Sequence, residues 1–223
     1  MVSGDLDAAL EQYRAFEEQL RVHAPEVADR LAPPHPDPAG VVADACPGLV
    51  LPADLVAWWC WHDGMTPPEG FAPRLGASFL FYSIRWALRD WRQWCEIAQS
   101  VAEPPDMPAD HFWPDTWMPV LGREGIDLAI DLGPDSPRTG VIYKASDVMS
   151  YNAPVIADGL PEVVAWWTRL LAAGATRWEP RPSGSGIWVT DRSLVPADLR
   201  SNPVAYSGLD GPPDPRFESL GEF

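Results

Sequence analysis

The stretch Ile126-Asp127-Leu128-Ala129-Ile130-Asp131-Leu132 alternates large apolar residues with small or acidic ones along its whole length. Alternation at a period of two marks a β-strand with one face toward a core, because successive side chains leave the pleat on opposite sides. Ile126, Leu128, Ile130 and Leu132 take one face; Asp127, Ala129 and Asp131 take the other. Trp117 to Leu121 reads as a second strand, and Gly122-Arg123-Glu124-Gly125 between the two is a turn, so the pair forms a hairpin. Gly140 to Ala145 supplies a third strand, and Ala77-Ser78-Phe79-Leu80-Phe81-Tyr82 a buried one earlier in the chain. A sheet that contains a hairpin is at least partly antiparallel.

Helices surround these strands in the sequence. In residues 5–31, Leu6, Leu10, Tyr13, Phe16, Leu20, Val27 and Leu31 recur at helical steps and make one apolar stripe, divided where Pro25 opens a short second helix. Pro52 sits in the first turn of a helix that runs to His62, where Asp63-Gly64 ends it with Gly64 in a left-handed cap. Ser83 caps a helix that extends to about Ser100 and carries Ile84, Leu88, Trp91, Cys95 and Ala98 on one face. Leu160 to Ala173 is a helix ended by Gly174, and a short strand pair follows around Trp178 and Ile187-Trp188-Val189. The reading is α+β: a small antiparallel-rich sheet with helices packed against it, plus an N-terminal helical arm. The proline-dense segment Ala32-Pro33-Pro34-His35-Pro36-Asp37-Pro38 reads as a linker. It sets off an arm over 1–40 from a main domain over 41–206, and 207–223 reads as an irregular acidic tail.

Charge narrows the range of partners. Acids number 32 against 16 bases, a net charge of −16. Phosphate backbones and anionic membranes are bound through Lys and Arg, so nucleic acid and membrane surfaces are not expected partners. A basic protein is, since the field would steer its approach. No apolar run reaches the ~18 residues of a membrane span. The first residues lack the basic and apolar regions of a secretory signal. Cys46, Cys60 and Cys95 are odd in number and widely spaced, and they fit a cytoplasmic protein with free thiols. The Arg, Ala and Pro bias points to a GC-rich, bacterial genome.

The segment Leu51-Pro52-Ala53-Asp54-Leu55-Val56-Ala57-Trp58-Trp59-Cys60-Trp61-His62-Asp63-Gly64 resembles the opening motif of the SUKH superfamily: Leu-Pro, a short amphipathic helix, then a polar residue and Gly. Trp117-Met118-Pro119-Val120 followed by Gly125 to Leu132, and Gly140-Val141-Ile142-Tyr143 followed by the helix at 160–173, continue the likeness. It covers roughly residues 45–174. Asp63 stands where Asn is more usual, and Trp59 and Trp61 are bulkier than the usual residues. The superfamily takes in a yeast cell-wall assembly regulator and many bacterial immunity proteins of polymorphic toxin systems. The resemblance implies an α+β fold and a protein-binding role without chemistry.

The residues themselves give a short set of candidates. Leu55, Trp58, Trp59 and His62 share the core side of their helix, which leaves Trp61 rotated away as an exposed interface anchor. His62 suits the negative end of the helix dipole. Asp127 and Asp131 share a strand face roughly 13 Å apart, too far to share a proton or a metal. With Asp63 they read as the acids of a solvated patch for a basic partner. No metal or cofactor is expected: Cys60 and His62 face differently on one helix, and no C-x-x-C or H-x-x-x-H occurs. Ser183-Gly184-Ser185-Gly186 reads as a flexible loop, neither a nucleophile elbow nor a phosphate cradle. No catalytic residue is expected. The expected function is that of an immunity protein masking a basic toxin domain such as a nuclease. A regulatory scaffold without a toxin partner is the alternative, and an enzyme of unknown chemistry a weaker one; the oligomeric state stays open.

Overall fold

A computed structural model of the chain describes residues 3–66, 74–76, 79–102, 107–123, 125–136, 138–146, 149–180, 186–202 and 204–205. In chain order the elements are α1 (Ser3–His23), α2 (Pro25–Ala28), α3 (Pro38–Ala45), α4 (Ala53–Trp61), β1 (Leu80–Phe81), α5 (Ile84–Val101), α6 (Ala109–Phe112), β2 (Trp117–Arg123), β3 (Ile126–Asp131), β4 (Val141–Ala145), β5 (Val155–Ala157), α7 (Leu160–Ala172), β6 (Thr176–Pro180) and β7 (Gly186–Thr190). The fold is α+β, as the sequence pattern predicts. β1 to β5 pair antiparallel in sequence order, and β6 and β7 form a separate hairpin. The expected loop at 183–185, the tail from Ser207, and Ala77 and Ser78 of the expected first strand lie outside the described residues.

The hairpin forms where alternation placed it, with Met118 opposite Ile130 and Arg123 opposite Ile126. β2 runs two residues beyond the expected Leu121, so the turn is tighter, and Gly125 supplies its positive φ of 73°. The register shifts between Pro119 and Leu121, which leaves Val120 as an extra residue. Pro119 has no N–H to give to the ladder, and a bulge beside it absorbs the irregularity.

Both sheet faces are covered, and the period of two decides which residue goes where. Met118, Leu128, Ile130, Val141 and Tyr143 belong to the main core, beneath α1, α4 and α7. Trp117, Ala129 and Ile142 face the other way, into a small second core with Ala98 of α5, Trp113 and Ala153. That second core corrects the solvated strand face expected around Asp127.

α1 is part of the main core. Tyr13, Phe16 and Leu20 are fully buried, as are Trp58 and Trp59 of α4. The Tyr13 ring meets Trp58 edge-on at 5.1 Å and lies 5.8 Å from Trp61; Phe16 lies 6.0 Å from Trp167 of α7. The arm and the sheet therefore share one core across the boundary drawn at residue 40. The proline-dense segment is anchored too: His35 N–H donates to Trp59 O at 2.8 Å, and Pro33 O accepts from Asp63 N–H at 3.1 Å. Its last proline opens α3, a helix absent from the sequence reading, capped by Asp37 accepting from Gly40 N–H at 2.9 Å. Gly64 has φ 80°, and a Cβ there would stand 2.5 Å from Ser83 N, so only glycine fits the turn that ends α4. Ser83 caps α5 as expected, accepting from Trp86 N–H at 3.2 Å.

Cys46 is buried, Cys60 and Cys95 half-buried, and all three are free thiols. Burial raises the pKa of each, that of Cys95 to about 11. No helix among the described residues is long and apolar enough to cross a membrane.

Candidate functional site

The four residues singled out in the sequence are drawn into the fold to different degrees. Trp61 is 4% exposed, which corrects its expected role as an exposed anchor. α1 covers the face of α4 that helical spacing alone leaves open: Trp61 packs against Tyr13, Phe16 and Phe81, and its indole N–H donates to Glu17 Oε2 at 3.0 Å. His62 Nε2 meets the same oxygen at 3.2 Å, and its Nδ1 meets Ala32 O, so His62 ties arm to helix beyond any dipole effect. Burial works to raise the Glu17 pKa, but hydrogen bonds from Arg21, Trp61 and His62 outweigh it and hold it below the usual value. Asp63 accepts from Ile84 N–H at 2.7 Å, so its carboxylate satisfies the start of α5.

Asp127 is the largest correction to the expected patch. It is 6% exposed because α5 lies across its face of the sheet. Tyr82 O–H donates to Asp127 Oδ1 at 3.2 Å, and Trp94 N–H of α5 donates to Oδ2 at 2.8 Å. Lys144, directly opposite on β4, is 2% exposed; its ammonium donates to Ala145 O and lies 4.7 Å from the Phe112 ring. Burial, then repulsion from Asp90, push the Asp127 pKa up to about 6, against the opposing pull of Trp94, Tyr82 and Lys144. Both carboxylate oxygens are occupied by donors of the fold, so this carboxyl positions α5 on the sheet.

The raised value makes stability depend on pH. The folded chain holds the Asp127 proton up to about pH 6, whereas the unfolded chain releases it near the ordinary aspartate value of 3.8. The stabilising contribution is complete below about pH 4 and is lost as pH rises through 6, on the order of 3 kcal/mol at 1.36 per unit. Denaturant titrations of the wild type and Asp127→Asn are expected to diverge over that window, with the variant lacking this decline. Parallel curves from pH 4 to 7 would show that Asp127 titrates as an ordinary carboxylate.

Asp131 is half-exposed and held in place: Trp117 N–H donates to Oδ2 at 3.2 Å, Ser136 O–H to the same oxygen at 2.5 Å, and Gly133 N–H to Oδ1 at 3.0 Å. Asp127 borders a cavity of about 250 Å³ beside α5, and Asp131 lines a larger cleft. That cleft, about 340 Å³, lies between the β3–β4 connection and the start of α4, and also contains Asp54 and Asp158. A larger cavity of about 590 Å³ adjoins it through Asp54, Asp158 and Gly159, and extends between α1, α4 and α7 with Asp5 and Glu162 in its wall.

Together these form an acidic groove. Asp54 anchors it by accepting from Leu160 N–H at 3.2 Å, which supplies α7 with the cap that Gly159 lacks. Burial raises the Asp54 pKa, partly offset by backbone donors from Leu160, Leu55 and Asp54 itself. Tyr13 O–H donates to Asp54 O at 3.1 Å and Gln12 Nε2 to Pro161 O at 2.6 Å, which fix α1 as one wall. Asp5, Asp158 and Glu162 are exposed. The sequence reading missed Asp54, Asp158 and Glu162 because chain distance hides their neighbourhood: Asp54 bonds a residue 106 positions away. Among the described residues, no group of three or more His, Cys, Asp or Glu side chains is arranged to hold a metal.

Neither a comparison with protein-family models nor one with curated proteins finds a match for this chain.

Proposed function

We propose that the chain is a SUKH-like protein-binding domain whose acidic groove receives a basic protein partner in the cytoplasm. The partner is the toxic domain of a polymorphic toxin system, and the chain is its immunity protein. The observation that carries this reading is the groove: Asp5, Asp54, Asp131, Asp158 and Glu162 line two adjoining cavities at the junction of α1, α4, α7 and the sheet. On a chain of net charge −16 it offers a concave negative surface to the positive cleft of an enzyme such as a nuclease. The motifs that carry the SUKH likeness fall on α4, the β2–β3 hairpin, β4 and α7.

The test is a pull-down of the tagged full chain from its native cell, with mass spectrometry of what is retained. The expected capture is a basic protein that arrests growth when expressed alone and ceases to do so when this chain is co-expressed. A captured protein that is harmless alone would instead support the second reading, a regulatory scaffold on the same groove.

A further inference from the structure

The acidic groove has a counterpart of opposite sign on α5. Arg85, Arg89 and Arg92 follow one another at four- and three-residue steps, so they stand on one face of the helix. All three are exposed, and with Ser83 and Trp86 they line a surface groove of about 370 Å³. Acids outnumber bases 32 to 16 in this chain, yet among the described residues none of the three arginines forms an ion pair. Asp90, the adjacent acid, is half-buried against Tyr82 and Trp86 and feels the Arg89 charge without a salt bridge to it. A protein with surplus carboxylates that leaves three neighbouring guanidiniums unpaired keeps them available for carboxylates from elsewhere.

The groove is also ordered from beneath. Tyr82 stacks on Trp86 at 5.7 Å with 6° between the rings, and the Arg89 guanidinium lies over the same indole at 5.0 Å. Arg89 is thereby held in place before any ligand arrives, which lowers the ordering cost of a bidentate bond. These contacts decide the chemistry of the occupant. With the indole surface taken up, Trp86 offers no free platform for a base, and single-stranded nucleic acid is bound largely by such stacking. A long polyanion would also meet the repulsion of the remaining surface. A short carboxylate-bearing peptide segment needs only the three forks.

We propose that the Arg85–Arg89–Arg92 face of α5 is a docking site for an acidic polypeptide segment of a partner protein, distinct from the acidic groove and independent of what that groove binds. The test uses the full chain and fluorescence anisotropy at low salt with a rhodamine-labelled Glu-Ala-Glu-Glu-Ala-Glu peptide. An oligothymidylate of equal charge serves as comparator. Arg85→Gln/Arg89→Gln/Arg92→Gln is set against Arg169→Gln/Arg177→Gln/Arg192→Gln, which removes the same charge from other exposed positions. The expected result is that the α5 variant weakens peptide binding by roughly tenfold or more while the control variant stays within about twofold. The oligothymidylate is expected to bind more weakly than the peptide. Equal losses in both variants, no binding by the wild type, or tighter binding of the oligothymidylate would each overturn the proposal. A thermal melt of each variant accompanies the titration, and the exposed positions of all six arginines predict unchanged midpoints.

Discussion

A chain beginning at residue 39 is expected to lose its cooperative thermal transition. The deletion removes Tyr13, Phe16, Leu20 and Val27, all fully buried. At about 1.5–3 kcal/mol for each large apolar side chain, the loss is on the order of 6–12 kcal/mol. That equals most or all of the ~5–15 kcal/mol that holds a typical domain folded. The deletion also uncovers the aromatic side of α4, and it strips Trp61 and His62 of their Glu17 partner. Circular dichroism melting of the full and shortened chains decides the matter. A shortened chain that melts cooperatively within a few degrees of the full one would mean that the arm is an accessory to a self-sufficient domain.

Trp61→Ala is expected to lower stability by about 3–5 kcal/mol, the usual cost of removing a large buried aromatic. In a chain of this length that is on the order of 10 °C in melting temperature. The variant leaves a cavity among Tyr13, Phe16, Trp58 and Phe81, and removes one of the donors that hold Glu17 ionised. Trp61→Phe keeps most of the ring volume and loses only the N–H, so its cost should be nearer 1 kcal/mol. Urea titrations of the two variants separate packing from hydrogen bonding. If Trp61→Ala leaves stability unchanged and weakens partner binding instead, the indole is an interface anchor after all.

Elements with their own local signal were legible in the sequence. The hairpin announces itself by alternation on both sides of a Gly-bounded turn, α5 by its Ser83 cap, and the ends of α4 and α7 by Gly64 and Gly174, both with positive φ. What escaped is whatever depends on a distant covering element. Alternation places Asp127 opposite Leu128, but nothing nearby says that α5 covers that side and brings Trp94 to it. Helical spacing turns Trp61 away from the Trp58 side, but the helix that buries it lies 44 residues earlier. Asp63 looked like a surface acid because its acceptor role is toward Ile84, 21 residues further on. β5 is three residues long, too short for a period to show, and α3 was hidden by the prolines before it. Of the expected acidic patch only Asp131 stands in the groove, and there it joins residues from three helices.

Association kinetics with the captured protein test whether the groove meets a basic partner. Asp5→Asn/Asp158→Asn/Glu162→Gln neutralises exposed carboxylates and leaves Asp54 to cap α7. Stopped-flow mixing at about 0.1 M and 1 M salt spans Debye lengths of roughly 10 and 3 Å. The predicted result is an association rate several-fold slower in the variant at low salt, a dissociation rate little changed, and a difference that vanishes at high salt. An association rate identical in wild type and variant at low salt would contradict the account and place the interface elsewhere on the molecule.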